Sequence, residues 1–409
     1  MAVTHAIPTV LRNRQFRLYL LATIISTVGD GMQFIGIAWL VLQLTGSAIS
    51  VGWILALTSL PGVLFSPWIG VLVDRLDRRL ICCGADLSRG LLIALIPLLY
   101  IVHLLPLWIL YLIVFLAAIG DRFYWPGTAG LVREIVPLED LLAANSWGNI
   151  IAQMGVLVGA GLGGILVASF NPVIGILFNA LSFLLSALLT FLIRKERYGV
   201  QNTHKKATSV SQEFLAGISY LRTHPYVTGI AFLRALLFVT LYSSNVLLPA
   251  FVQRILHGRA TEFGVIDAGW AIGSMAGGIF LLSIVQKIGP RRYVVPGMFL
   301  LAGSILLFLT ATGVAQAVFG YILMGLFFAS TGTNYNTLIQ SLVPTELQGR
   351  IQSTIYMAIS YIGLCTYLGA GYLGDLISLR LVYLFLASII FLGGCLSIPI
   401  AMSAKKENV

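Results

Sequence analysis

Charge is what this chain has least of. Only 10% of its 409 residues are Asp, Glu, Lys or Arg, against about a quarter in a soluble domain. That shortage excludes a soluble protein of this length, which would need polar residues to cover two or three domains. Histidine and cysteine are scarce too, at five and four residues. Cys82, Cys83, Cys365 and Cys395 fall inside apolar runs without metal-type spacing, so they read as small buried hydrophobes. There is no nucleotide loop, no metal-ligand cluster and no appended soluble stretch. The expectation is therefore no cofactor, no metal site and no enzyme or sensor activity.

What fills the chain instead is hydrocarbon. Apolar residues make up 58% of it and the mean hydropathy is +0.94. Apolar runs of about 20 residues recur throughout, each long enough to cross a bilayer. They are continuous and do not alternate, so they predict helices and not a barrel. Spans are expected near 18–44, 48–73, 80–102, 106–127, 142–168, 173–193, 226–252, 263–286, 293–313, 316–337, 351–376 and 381–402. The first run is too long for a signal peptide and lacks a small-residue cleavage site.

The formal net charge of +10 raises the question of nucleic acid, and its distribution answers it. With the N-terminus in the cytoplasm, only Arg254, Arg259 and Arg380 fall on the outer side, and only Arg89, Arg122 and Arg234 fall within spans. All other Lys and Arg lie inside. This positive-inside bias predicts cytoplasmic termini, with lipid as the partner of the basic charge and no nucleic acid.

The chain also repeats itself. "LVREIVPLED" (131–140) resembles "LIQSLVPTEL" (338–347), and at the same offset of 207 residues Ser146 meets Ser353 and Gly164 meets Gly371. "DRLDRR" (74–79) lies more weakly over "QKIGPR" (286–291). Both pairs occupy corresponding loops of two six-helix halves. The predicted fold is all-α: twelve transmembrane helices in two parallel six-helix repeats. Expected domains are 1–193, a cytoplasmic linker 194–224, and 225–409. In the linker, Phe214, Ile218 and Leu221 predict a short amphipathic helix over 211–224.

Between spans 2 and 3 stands "GVLVDRLDRR" (70–79). Its form, Gly70-x-x-x-Asp74-Arg75-x-x-Arg78-Arg79, resembles the loop 2–3 signature of the major facilitator superfamily. The resemblance implies a latch between the halves. Gly70 would permit close helix approach, Asp74 would cap a facing helix, and Arg78 and Arg79 would pair with acids or headgroups. Further stretches, among them "DLSRG", "VPLEDLLAANS", "NALSFLLSA" and "LVPTELQGRIQS", resemble a bacterial subgroup of macrolide-efflux-like proteins and enterobactin-exporter-like proteins. That implies proton-coupled efflux of amphipathic small molecules. Span 5 departs from the antiporter pattern, because Ala160 of "GAGLGG" stands in the proline position. Siderophore, divalent-metal or lysolipid transport on the same scaffold is the alternative. A monomer is expected.

Ionisable residues inside a bilayer cost several kcal/mol, so each needs a reason. Asp30 lies near the middle of span 1, with Gln33 and Ser26 on its face, and can exchange a proton or bind a cation. Asn179 and Ser182 of span 6 lie at similar depth. With Asp30 they resemble the amino-terminal metal site of ferroportin-like members, although no His or Cys is near to favour a transition metal. Arg234 of span 7 continues into Phe238 and Tyr242, and can hold an anion, pair with an acid or snorkel. Asp86, Arg89, Asp121 and Arg122 are expected to form a structural charge network with Arg78, with coupling to gating as the alternative. Asp267 and Asp375, near outer ends, are expected to be solvated. Neutral stripes at Asn145, Asn149 and Gln153, at Gln352, Tyr356 and Ser360, and in "STGTNYNT" are expected to face the interior. Trp39, Trp125, Trp147 and Tyr335 are read first as packing residues, with stacking on a bulky ligand as the alternative.

Overall fold

The computed structural model describes residues 10–194 and 218–403. Twelve long helices follow one another: α1 Arg14–Thr45, α2 Ala48–Arg75, α3 Arg78–Ile101, α4 Leu107–Ile135, α5 Leu141–Ser169, α6 Pro172–Phe191, α7 Pro225–Arg254, α8 Ala260–Ile288, α9 Pro290–Leu309, α10 Val314–Leu342, α11 Thr345–Leu376 and α12 Leu379–Ser403. There is no strand among the described residues. Eleven of the twelve carry a stretch long and apolar enough to cross a membrane, and α8 runs for 29 residues. Residues 218–223 are helical, as the predicted amphipathic segment requires, while 211–217 lie outside the described residues.

Local chemistry fixes the helix starts. Asp77 caps α3 by accepting from the Arg79 and Leu80 amides at 3.0 and 3.3 Å. Asn171 does the same for α6 at Val173 and Ile174, with Pro172 at the first helical position. Asn13 accepts from Gln15 and Phe16, and its amide donates to the Ile135 carbonyl at 2.8 Å, tying α1 to the end of α4. Several helices outrun the predicted spans. α4 continues past residue 127 to Ile135, and α11 begins at Thr345 and not near 351. Hydropathy falls at polar residues such as Arg133, Glu134 and Gln348, but helical hydrogen bonding continues through them.

The described residues divide into two compact units, one within 1–44 and 57–205, the other within 45–56 and 206–409. In the first, α3 packs on α4 and α6. In the second, α9 packs on α10 and α12, the same pairing one repeat later, while α8 packs on α10 and α7 on α11. Close approach within the first unit depends on glycine. A Cβ at Gly159 would overlap the Val28 carbonyl oxygen, so α5 meets α1 backbone to backbone. The run "GAGLGG" thus packs without the expected proline. α1 and α7, the first helices of the repeats, are the most enclosed, with 67% of their most apolar stretch buried.

Candidate functional site

In the first unit, helical spacing delivers polar groups from four helices to one place. α1 supplies Asp30 and Gln33, α3 supplies Asp86 and Arg89, α4 supplies Asp121 and Arg122, and α6 supplies Asn179, Ser182, Phe183 and Ser186. α1 and α6 touch closely here, because Gly29 leaves room that a Cβ would take from Ser182 Oγ and Asn179 Oδ1.

Arg89 is the hub. Its guanidinium lies 3.3 Å from Asp30, 3.2 Å from Asp86 and 3.4 Å from Asp121. It stacks 3.8 Å above the centre of the Phe183 ring. Asp86 is fully buried and takes a second bond from the Ser186 hydroxyl at 2.6 Å. Asn179 donates to Gln33 Oε1 at 2.7 Å and to Asp30 at 3.4 Å, and accepts from Ser182 at 2.9 Å. Arg122 reaches Asp121 at 4.0 Å and the Thr58 carbonyl at 3.3 Å. Three carboxylates therefore face two guanidinium groups. Their access differs: the side chains of Asp30 and Asp121 are 33% and 27% exposed, that of Asp86 0%. A cavity of about 240 Å³ opens onto Gln33, Thr58, Arg89, Asp121, Arg122 and Phe183.

Asp30 has Arg89 beside it. Against expectation, Arg78 does not join the network. It pairs with Glu134 at 3.3 Å and approaches the Gly130 carbonyl, while Arg79 donates to the Ile193 carbonyl and lies over Phe191. Both thereby fasten the loop to its own unit. Of the rest of the loop motif, Gly70, Asp74 and Arg75 lie outside the described side chains. Asn149 and Gln153 are exposed on α5, and Asn145 with them, apart from the Asp30 cluster.

The second unit holds Arg234, buried to 5% exposure. It donates to Gln352 Oε1 and to the Tyr356 hydroxyl, both at 3.0 Å. Tyr242 lies farther along α7 against Tyr367, ring centres 5.0 Å apart. "STGTNYNT" belongs largely to a packing seam: Ser330 meets the Tyr293 hydroxyl at 2.8 Å, Asn334 donates to the Pro290 carbonyl and Tyr335 to that of Val294. Of the four aromatic residues singled out, Tyr335 and, in the first unit, Trp39 are buried, Trp147 packs on a buried cluster, and Trp125 is exposed.

Asp375 is not simply solvated. Its carboxylate accepts from the Ser47 hydroxyl at 2.6 Å and from the Ala48 and Ile49 amides at 2.9 and 3.0 Å. Arg254 completes it at 2.7 Å and also donates to the Gly46 and Gly374 carbonyls. An acid at the end of α11 thus caps the start of α2, which is why residues 45–56 belong to the second unit. Sequence spacing had no means of pairing positions so far apart.

Known proteins share this architecture. The chain is 25% identical over 402 residues to the uncharacterized MFS-type transporter YfiS of Bacillus subtilis, covering 95% of this chain and 93% of that one. It is 27% identical over 409 residues to the multidrug efflux pump Tap of Mycobacterium tuberculosis, covering 93% and 92%. Macrolide efflux protein A of Streptococcus pyogenes matches at 23% over 259 residues, 63% of each chain. Among solved structures, a bacterial homologue of the human lysosomal transporter Spinster aligns with a TM-score of 0.76 at 13% identity, over 96% of this chain and 98% of that one. A bacterial homologue of the iron transporter ferroportin aligns at 0.75 and 16%, over 95% and 98%. These two show the fold, two six-helix repeats of the major facilitator type. The family model described as transmembrane secretion effector matches residues 6–408, and the chain belongs to that family, a family of multi-pass membrane transporters and not of enzymes.

Proposed function

We propose that the protein is a proton-coupled exporter of amphipathic small molecules in a bacterial inner membrane. Both termini would face the cytoplasm, as the positive-inside bias demands, and it would act as a monomer of two six-helix halves joined by the 194–224 linker. Efflux is supported by the macrolide and multidrug pumps among the relatives. The observation that carries proton coupling is the excess of one carboxylate over the two guanidinium groups of Arg89 and Arg122. Asp86 is sealed and doubly bonded. Asp30 is a third exposed, and its two contacts, at 3.3 and 3.4 Å, are long. Asp121 is similarly open, and Asp30 is the accessible acid that ties the first helix of the repeat to Arg89, so the proton goes to Asp30. When it takes a proton, Arg89 keeps only Asp86 and Asp121, and the pull between α1 and α3 weakens. Losing the proton restores that pull. A cycle of this kind links proton entry to helix movement. The loop at 70–79 would serve as a latch in the same cycle.

A divalent metal at Asp30, Asn179 and Ser182 is less favoured. A guanidinium already lies 3.3 Å from Asp30, and a cation there would meet the like charge of Arg89.

The test is flux in proteoliposomes with an imposed pH gradient, with ethidium and erythromycin as cargo. The reading expects cargo to move against its own gradient as protons run down theirs, and to stop when a protonophore is added. Cargo flux indifferent to the protonophore would remove proton coupling.

A further inference from the structure

Arg234 differs from Arg89, the other buried arginine among the described residues, and from the half-buried Arg78 and Arg254. Arg78 has Glu134, Arg254 has Asp375 and Arg89 has three carboxylates. Among the described residues no carboxylate lies within 4.0 Å of Arg234. Its partners are the Gln352 carbonyl, the Tyr356 hydroxyl and the face of the Tyr356 ring, whose centre is 4.9 Å from the guanidinium carbon. All are neutral.

Those partners orient the cation without cancelling it. Gln352 is itself held, because its amide nitrogen donates to Asn336 Oδ1 at 3.0 Å and so turns its oxygen toward Arg234. Guanidinium carries five N–H donors, and these contacts use two of them. A buried charge without a counter-charge costs several kcal/mol, and inside a membrane such a residue marks a ligand path by default. One side of the site is open, since Tyr356 is 51% exposed.

The next turns of α7 supply an apolar wall. Phe238 follows Arg234 at i+4 and Tyr242 at i+8. Phe238 lies 5.6 Å from Phe328 and 5.9 Å from Tyr242, and Phe328 lies 5.2 Å from Trp270. A fixed cation thus stands at one end of a run of aromatic rings, all in the second unit.

We infer that Arg234, with Tyr356 and the Phe238–Tyr242 face, is a recognition site for amphipathic organic anions: a carboxylate, sulfonate or phosphate head on Arg234 and an apolar body along the rings. Its place in export rests on the transport reading above, but binding at equilibrium needs no gradient. Failure of one is therefore distinguishable from failure of the other.

The experiment uses the full chain in nanodiscs of neutral lipid, with empty nanodiscs as background. The probe is 11-(dansylamino)undecanoate, compared with its uncharged methyl ester by dansyl fluorescence. The wild type should bind the acid about tenfold more tightly than the ester. Arg234→Gln should erase that advantage and leave ester affinity unchanged, and Arg234→Lys should keep part of it. Equal affinity of the wild type for acid and ester overturns the proposal, and that comparison needs no variant to fold. So does an Arg234→Gln protein that weakens acid and ester alike.

Discussion

The two most buried basic centres among the described residues solve the same electrostatic problem in opposite ways. In the first unit Arg89 is surrounded by acids, and three carboxylates share two guanidinium groups. In the second, Arg234 has only neutral partners. Each centre involves the first helix of its repeat, yet at the 207-residue offset Asp30 falls on Leu237 and Arg234 falls on Thr27. Duplication kept the scaffold, the α3–α6 and α9–α12 pairings included, and let the chemistry diverge. A self-contained ionic network can titrate and move. A fixed cation with free donors can bind. The contrast teaches that a shared fold sets where polar groups are tolerated, while the charge count at each place sets what they do.

The sharpest way to break this contrast is to remove the hub. Arg89→Gln should leave Asp86 buried without its cation and cost about 3–5 kcal/mol, read as a large fall in the melting temperature of the purified protein. Arg234→Gln leaves no such orphan and should melt close to the wild type. Similar losses from the two substitutions would dissolve the distinction.

The helix contact that builds the first unit comes next. Gly159→Leu should force α5 away from the Val28 carbonyl and cost about 1–3 kcal/mol through overpacking, measured in the same melting experiment. Wild-type melting would mean that α1 and α5 are not in backbone contact.

Asp375→Asn should loosen residues 45–56 locally. Hydrogen exchange at the Ala48 and Ile49 amides should speed up by about tenfold, as for an amide that loses one good bond to a charged acceptor. Unchanged exchange would place the cap of α2 elsewhere. Smallest of all, Arg78→Gln removes a half-exposed pair with Glu134 and should change stability by less than about 1 kcal/mol. A larger effect would tie Arg78 to the buried network after all.

Much of the first unit's site was legible in the sequence. Asp30, Gln33, Asn179 and Ser182 announce themselves because polar side chains in an apolar helix have to find one another, and spacing along each helix gives the depth. The hub was harder to see. "DLSRG" places Asp86 and Arg89 at i and i+3 within an apolar run, a signal of a buried pair, but the nearness of Arg78 in sequence drew the expected network toward the loop. Depth, not sequence distance, decided the partner. Neutral polar runs were ambiguous for another reason. Ser330, Asn334 and Tyr335 are as well satisfied by the hydroxyl and carbonyls of α9 as by water in a cavity, and composition cannot tell these apart. Asp375 was illegible because a carboxylate at a helix end looks solvated until its partner helix start, more than 300 positions away, is known.

The central claim is that Asp30 is the carboxylate whose charge changes during transport. Its most direct test is Asp30→Asn in proteoliposomes, with ethidium followed under an imposed pH gradient and again without one. The account predicts that the variant folds, still exchanges ethidium down its concentration gradient, and no longer concentrates it when the pH gradient is applied. An Asp30→Asn protein that concentrates ethidium as the wild type does would contradict it.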